Sequence, residues 1–131
     1  MPKKPLFIDG HQDLAWNMLT FQRDYTKPLA ELRAAEKGTY IPQWNGETIL
    51  GWDTYQKARA AIVFGTLFSS PIRHKEGEWD IMCYRNAEEA HTQYRQQIDA
   101  YEQLTEEHSD KFVRIFTNKD LDTHIQRWQQ A

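Results

Sequence analysis

The sequence predicts an α/β fold built on a parallel sheet. Two observations carry this reading. The apolar patterning runs strand, helices, strand, helix, strand, helix, and such alternation belongs to sheets whose strands are joined by helical crossovers. Residues 60–68, Ala-Ala-Ile-Val-Phe-Gly-Thr-Leu-Phe, hold no charge, as expected of a strand buried on both faces between helices.

Each element has its own local reason. Leu6-Phe7-Ile8 is a short buried-strand signal that ends at Asp9-Gly10-His11-Gln12-Asp13. A helix is predicted over residues 14–23, with Leu14, Ala15, Met18 and Leu19 on one face and Asp13 placed to cap it. Pro28 in the first turn and Gly38 as the stop frame a second short helix over 28–37. Residues 38–56 carry Pro42, Gly46 and Gly51 among Trp44 and Trp52, and read as a long irregular connection. Ser69-Ser70-Pro71 ends the strand at 60–68, and residues 72–83 read as a polar loop.

The clearest helix covers residues 86–108. Asn86 and Glu89 give it a start resembling a capping box, and Glu88 and Glu89 suit the positive end of its dipole. Its apolar stripe is Ala87, Ala90, Tyr94, Ile98, Tyr101 and Leu104. Residues 112–116, Phe-Val-Arg-Ile-Phe, read as a third short strand. Thr117 opens a last helix, with Asp120 three residues on and Leu121, Ile125 and Trp128 on one face. That helix runs to Ala131 without a closing glycine or strand, so the chain is expected to be the first part of a larger domain. No internal repeat or domain boundary interrupts residues 1–131.

Composition narrows the function classes. The chain has 131 residues, 40% hydrophobic and 27% charged, a soluble globular profile at single-domain length. A complete barrel of eight strands and eight helices needs about 250 residues, so any barrel here is incomplete. The net charge is −3 and Lys and Arg form no stripe, which speaks against nucleic acid as a partner. The one cysteine, Cys83, has no partner for an internal disulfide, which fits a reducing compartment. The opening apolar run is too short for a signal peptide, and no stretch approaches the roughly 18 apolar residues of a membrane span. The expected setting is cytoplasmic, with no membrane partner.

His11 and Asp13 are the leading candidates for chemistry. They stand two apart at the C-terminal end of a predicted strand, so both side chains share one face. Imidazole nitrogen and carboxylate oxygen are both good zinc ligands. Asp9 has the same parity and is placed to orient a ligand. The plain alternatives are that Asp13 caps the next helix and His11 bonds locally. Chance alone gives about 0.3 such pairs in a chain of this composition. His74, His91, His108 and His124 have no second ligand at a recognised spacing, and no base can be assigned to Cys83. There is no Gly-x-Ser-x-Gly elbow and no Gly-rich phosphate loop. Trp16, Trp44 and Trp52 either line a pocket near the strand ends or serve as packing. Glu88-Glu89 and Glu106-Glu107 read as solvated helix charges.

The stretch Phe7-Ile8-Asp9-Gly10-His11-Gln12-Asp13-Leu14-Ala15-Trp16-Asn17 resembles the opening of the membrane (renal) dipeptidase family, peptidase family M19, in the amidohydrolase superfamily. That family begins with a strand ending Asp-Gly-His-Asn-Asp-Leu, often followed by Pro-Trp. Here Gln12 stands for the usual Asn and Ala15 for the usual Pro, and Gln12 is expected to face away from the ligand positions. The order of the later elements follows the family across nearly the whole chain, but the sharp motif lies in its first tenth.

The resemblance implies the N-terminal portion of a (β/α)8 TIM-like barrel. It also implies two zinc ions bridged by a glutamate, and hydrolysis of dipeptides by a metal-activated water. By resemblance His11 and Asp13 are ligands of one zinc. The bridging glutamate and the ligands of the second zinc belong to later strands, so no catalytic residue falls within 1–131 and these residues alone are expected to be inactive. The expected partners are a dipeptide substrate, the remainder of the barrel beyond Ala131, and a second copy in a homodimer. The alternatives are another metal-dependent hydrolase of the superfamily, against which His-x-Asp rather than His-x-His speaks, and a non-enzymatic α/β binding module.

Overall fold

The computed structural model describes residues 5–131; residues 1–4, the opening of the stretch weighed as a leader, lie outside the described residues. Strand β1 (Phe7–Gln12) pairs in parallel with β2 (Ala60–Gly65). Between them run four helices: α1 (Leu14–Phe21), α2 (Leu29–Glu36), α3 (Ile41–Asn45) and α4 (Trp52–Ala58). A second, minimal parallel pair joins β3 (Ser70–Pro71) to β4 (Cys83–Tyr84). Two helices follow, α5 (Ala87–Glu107) and α6 (Asn118–Gln130). The class is therefore mixed α/β with small parallel sheets. Among the described residues, no helix is long and apolar enough to cross a membrane.

The core lies where α1 meets α5 and where α2 meets α4. Leu14, Ala15 and Phe21 of α1, Leu32 of α2, Tyr55 of α4, and Ala100 and Leu104 of α5 are buried. A buried ion pair ties α2 to the end of α1: Arg23 Nε donates to Glu36 at 2.6 Å, and the same guanidinium reaches Asn17 at 2.8 Å and the Gly46 carbonyl at 3.1 Å. Gly51 sits where a Cβ would press on the backbone of Leu29, so only glycine lets α4 start this close to α2.

Several expectations change. Residues 38–56 are not an irregular connection, because they hold α3 and α4. Pro42 sits in the first turn of α3, and Gly51 N donates to Thr54 Oγ1 at 2.8 Å to start α4. Strand β2 ends at Gly65 rather than Phe68. Both backbone groups of Phe68 are taken by the buried Gln97 of α5, at 2.8 Å for its N–H and 2.6 Å for its C=O. Nor is β2 buried on both faces: residues 60–63 are half-buried and Phe64 is exposed, because only β1 flanks it in the ladder. The loop at 72–83 includes a 3-10 turn (Ile72–His74) and reaches β4.

Residues 112–116 form no strand. The Phe112 N–H turns back to the His108 carbonyl at 2.9 Å, and the Phe116 N–H bonds the Asp120 carboxylate at 3.1 Å. Local partners at both ends leave no ladder to join. The Phe112 ring packs instead on Trp52 and Tyr55, with centroids 5.4 and 5.9 Å away. The helix starts at Asn86 and Thr117 hold as expected. Asn86 accepts from Glu89 N at 2.9 Å, although Glu89 reaches back to Arg85 N rather than closing the box. Thr117 and Asp120 form a complete capping box.

Candidate metal centre

The C-terminal ends of β1 and β2 lie side by side, the place where parallel α/β folds gather polar chemistry. Their register is irregular there. Asp9 pairs with Val63 and Gln12 with Gly65, so three steps along β1 match two along β2. An extra residue in one strand bends it and re-aims side chains.

The candidates meet at this irregular end of β1. His11 Nε2 hydrogen-bonds Asp13 Oδ2 at 3.3 Å, the local bond of the plain alternative, with the imidazole side chain 71% exposed and the carboxylate 32% exposed. Asp13 does not cap α1, because its side chain makes no bond to the helix N-terminus. Its other oxygen, Oδ1, accepts from Thr66 Oγ1 at 2.5 Å. Thr66 follows β2 directly, so one carboxylate links the ends of both strands.

Asp9 does not take the role its parity suggested. Oδ1 accepts from the backbone N–H of His11 at 3.0 Å, and Oδ2 from the Gln12 amide at 2.8 Å. It therefore holds the loop and not the imidazole. These two donors, the His11 N–H first, keep the Asp9 carboxyl below its ordinary range. Gln12 is buried and makes no bond to the His11 or Asp13 side chains. Its Oε1 accepts from Tyr55 Oη at 2.5 Å. Burial raises the Tyr55 phenol well above its usual range, so the hydroxyl keeps the proton it donates.

Tyr101 of α5 completes the support. Its hydroxyl lies 2.9 Å from the Thr66 carbonyl and 3.3 Å from that of Gln12, and burial raises its pKa too. A Cβ on Gly65 would sit 2.8 Å from the Tyr101 ring, so glycine permits this approach.

The donor chemistry can be tested against zinc. Two donors on one tetrahedral zinc, each about 2.0–2.2 Å from the ion, stand about 3.3–3.6 Å apart. The His11–Asp13 separation of 3.3 Å is that of the hydrogen bond the two make with each other, and a nitrogen–carboxylate pair is an ordinary zinc donor set. Two donors are half of a four-coordinate shell. Among the described residues, no group of three or more His, Cys, Asp or Glu is arranged to hold a metal.

No protein-family model, curated protein or solved structure matches the chain.

The other candidates fall elsewhere. His124 of α6 bonds the Ala61 carbonyl of β2 at 2.7 Å and tilts against Trp128. Trp16 and Trp44 line a cleft with Trp79, whereas Trp52 packs on Phe112. Cys83 is buried 3.2 Å from Ser70 Oγ, and burial raises its thiol pKa, the opposite of an activated nucleophile. Thr66, Gln12, Tyr55 and Tyr101 were missed as parts of the site. Nothing in the sequence marks a single Thr after a strand, and a tyrosine in an apolar helix stripe reads as packing.

Proposed function

We propose that this chain is the N-terminal portion of a zinc-dependent dipeptidase with a (β/α)8 barrel, and that His11 and Asp13 are two ligands of one of its two zinc ions. The observation that carries the reading is the His11–Asp13 pair at the adjoining ends of two parallel strands, 3.3 Å apart. The motif Asp9-Gly10-His11-Gln12-Asp13-Leu14, with its resemblance to the dipeptidase family, adds the reaction class.

The residues divide the work simply. Thr66 fixes one oxygen of Asp13, and the other, Oδ2, bonds His11 and would turn to the metal when one is bound. The Tyr101 hydroxyl and the Thr66 N–H both meet the Gln12 carbonyl and so hold the two strand ends at one spacing, which fixes where Asp13 stands. When bound, zinc lowers the pKa of a water and polarises a scissile carbonyl. The bridging carboxylate and the dipeptide-binding groups would come from the remainder of the barrel.

Three measurements test this. The coding sequence past Ala131 is expected to give an apolar strand ending in Glu-Gly within about 25 residues. A stop codon there would end the enzyme reading for this product. The longer product, loaded with zinc and dialysed, should contain two equivalents by elemental analysis, with at least one lost in His11→Ala and in Asp13→Ala. Equal zinc in wild type and variants would remove both residues as ligands. Turnover of L,L- and L,D-dipeptides by the longer product then tests the substrate class.

A further inference from the structure

A second feature lies beside the strand ends and needs no metal. Trp16, Trp44, Phe68 and Trp79 wall a cleft of about 280 Å³ whose lining also includes Glu76 and Asp80. Trp16 meets two of the other rings edge-on, Phe68 at 6.0 Å and Trp79 at 6.5 Å, centroid to centroid, and Trp79 stacks on Phe21 behind it at 5.5 Å. The remaining lining residues bring one imidazole, from His74, and neither lysine nor arginine.

Asp80 is only 6% exposed. Its carboxylate accepts from Glu76 N at a long 3.3 Å. No cation of the described residues pairs with it, and the neighbouring Lys75 is bonded to Glu78 at 3.4 Å. A buried carboxylate without a counter-charge is costly. Aromatic faces attract cations, most strongly where water is excluded, and tryptophan is the best of them.

We propose that this cleft binds an alkylammonium group. Asp80 and Glu76 supply the counter-charge, and the indoles of Trp16, Trp44 and Trp79 pack on its methyl or methylene groups. The volume suits a small head group rather than a folded partner.

The test is a titration of the full chain with choline, followed by tryptophan fluorescence. The controls are its neutral isostere 3,3-dimethylbutan-1-ol, and sodium chloride at matched ionic strength. The expected result is a saturable change with choline, at least about tenfold weaker with the alcohol and absent with salt. Asp80→Asn should weaken choline binding by about tenfold. Trp44→Ala should do the same; Trp44 is 52% exposed, so this variant spares the core and decides the matter if Asp80→Asn loses its far-UV spectrum. Equal response to choline and the alcohol, or wild-type binding by folded Trp44→Ala, overturns the proposal. So does the lack of a saturable choline signal below about 10 mM.

Discussion

Arg23 and Glu36 meet at 2.6 Å in the helical layer, both out of water, and the guanidinium makes three further hydrogen bonds, to the other Glu36 oxygen, Asn17 and the Gly46 carbonyl. On the β1–β2 ladder, Phe7, Ile8 and Phe64 stand 53%, 49% and 59% exposed. The first region closes its own chemistry: even a buried charge pair is satisfied by neighbours within 131 residues. The second leaves large apolar side chains on parallel strands in water. Parallel sheets are normally covered on both faces, and a two-stranded ladder is marginal alone. The difference separates contacts completed within these residues from a face that they leave uncovered. On the proposed reading, the rest of the barrel covers the ladder.

The largest effect should come from breaking the closed region. Glu36→Ala leaves Arg23 buried without its counter-charge and should cost about 3–5 kcal/mol in urea unfolding. The double change Arg23→Met, Glu36→Leu should recover most of that loss. A cost below about 1 kcal/mol for Glu36→Ala would show that water reaches the pair, and the contrast between the regions would collapse. Next comes the joint between helices and sheet. Gly65→Ala drives a methyl group into the Tyr101 ring and should cost about 1–3 kcal/mol. Because Tyr101 also holds the Thr66 and Gln12 carbonyls, the same variant should perturb the His11 imidazole resonances in an NMR spectrum. Unchanged His11 signals would uncouple Tyr101 from the site.

The pH dependence tests the bulge at smaller amplitude. The Asp9 carboxyl is held below its ordinary value by the His11 N–H and the Gln12 amide. A lowered folded-state pKa gives stability that is complete above the unfolded value near 3.8 and is lost as pH falls through the folded one. Wild type should therefore lose more stability than Asp9→Asn between pH 5 and pH 2.5, by under about 1 kcal/mol, in parallel urea titrations. Identical slopes would mean that the loop at Asp9-Gly10-His11 is not held by that carboxylate.

Much of this architecture was legible in the sequence, for reasons that differ by element. The helix starts at Asn86 and Thr117 are local chemistry, a side-chain oxygen against the N–H three residues on, and the sequence displays such pairs directly. The uncharged run at 60–68 marked β2 by composition, and the strand occupies its first six residues. What failed depended on distant partners. The strand signal continued to Phe68, but Gln97, 29 residues away, claims that backbone. Residues 112–116 have the composition of a strand, yet local turns at both ends use the N–H groups a ladder would need. At the site, the two-residue spacing brought His11 and Asp13 together, while the same parity misplaced Asp9, because a bulge adds one residue between Asp9 and Gln12. Thr66, 53 residues from Asp13, carries no sequence signal at all.

The smallest effect is expected on the open face, and its size is the point. Phe64→Ser removes a phenyl that is mostly in water, so in residues 1–131 it should change stability by no more than about 0.5 kcal/mol. Apolar burial is worth about 25 cal/mol per Å² only where water is displaced, and here little is. If the downstream chain covers the ladder, the same substitution in the longer product should cost about 2–4 kcal/mol, as for other large-to-small changes in a core. Parallel urea titrations of the two lengths give the comparison directly. Equal small losses in both would leave the β1–β2 face solvent-exposed in the longer protein as well, and would count against the proposed barrel.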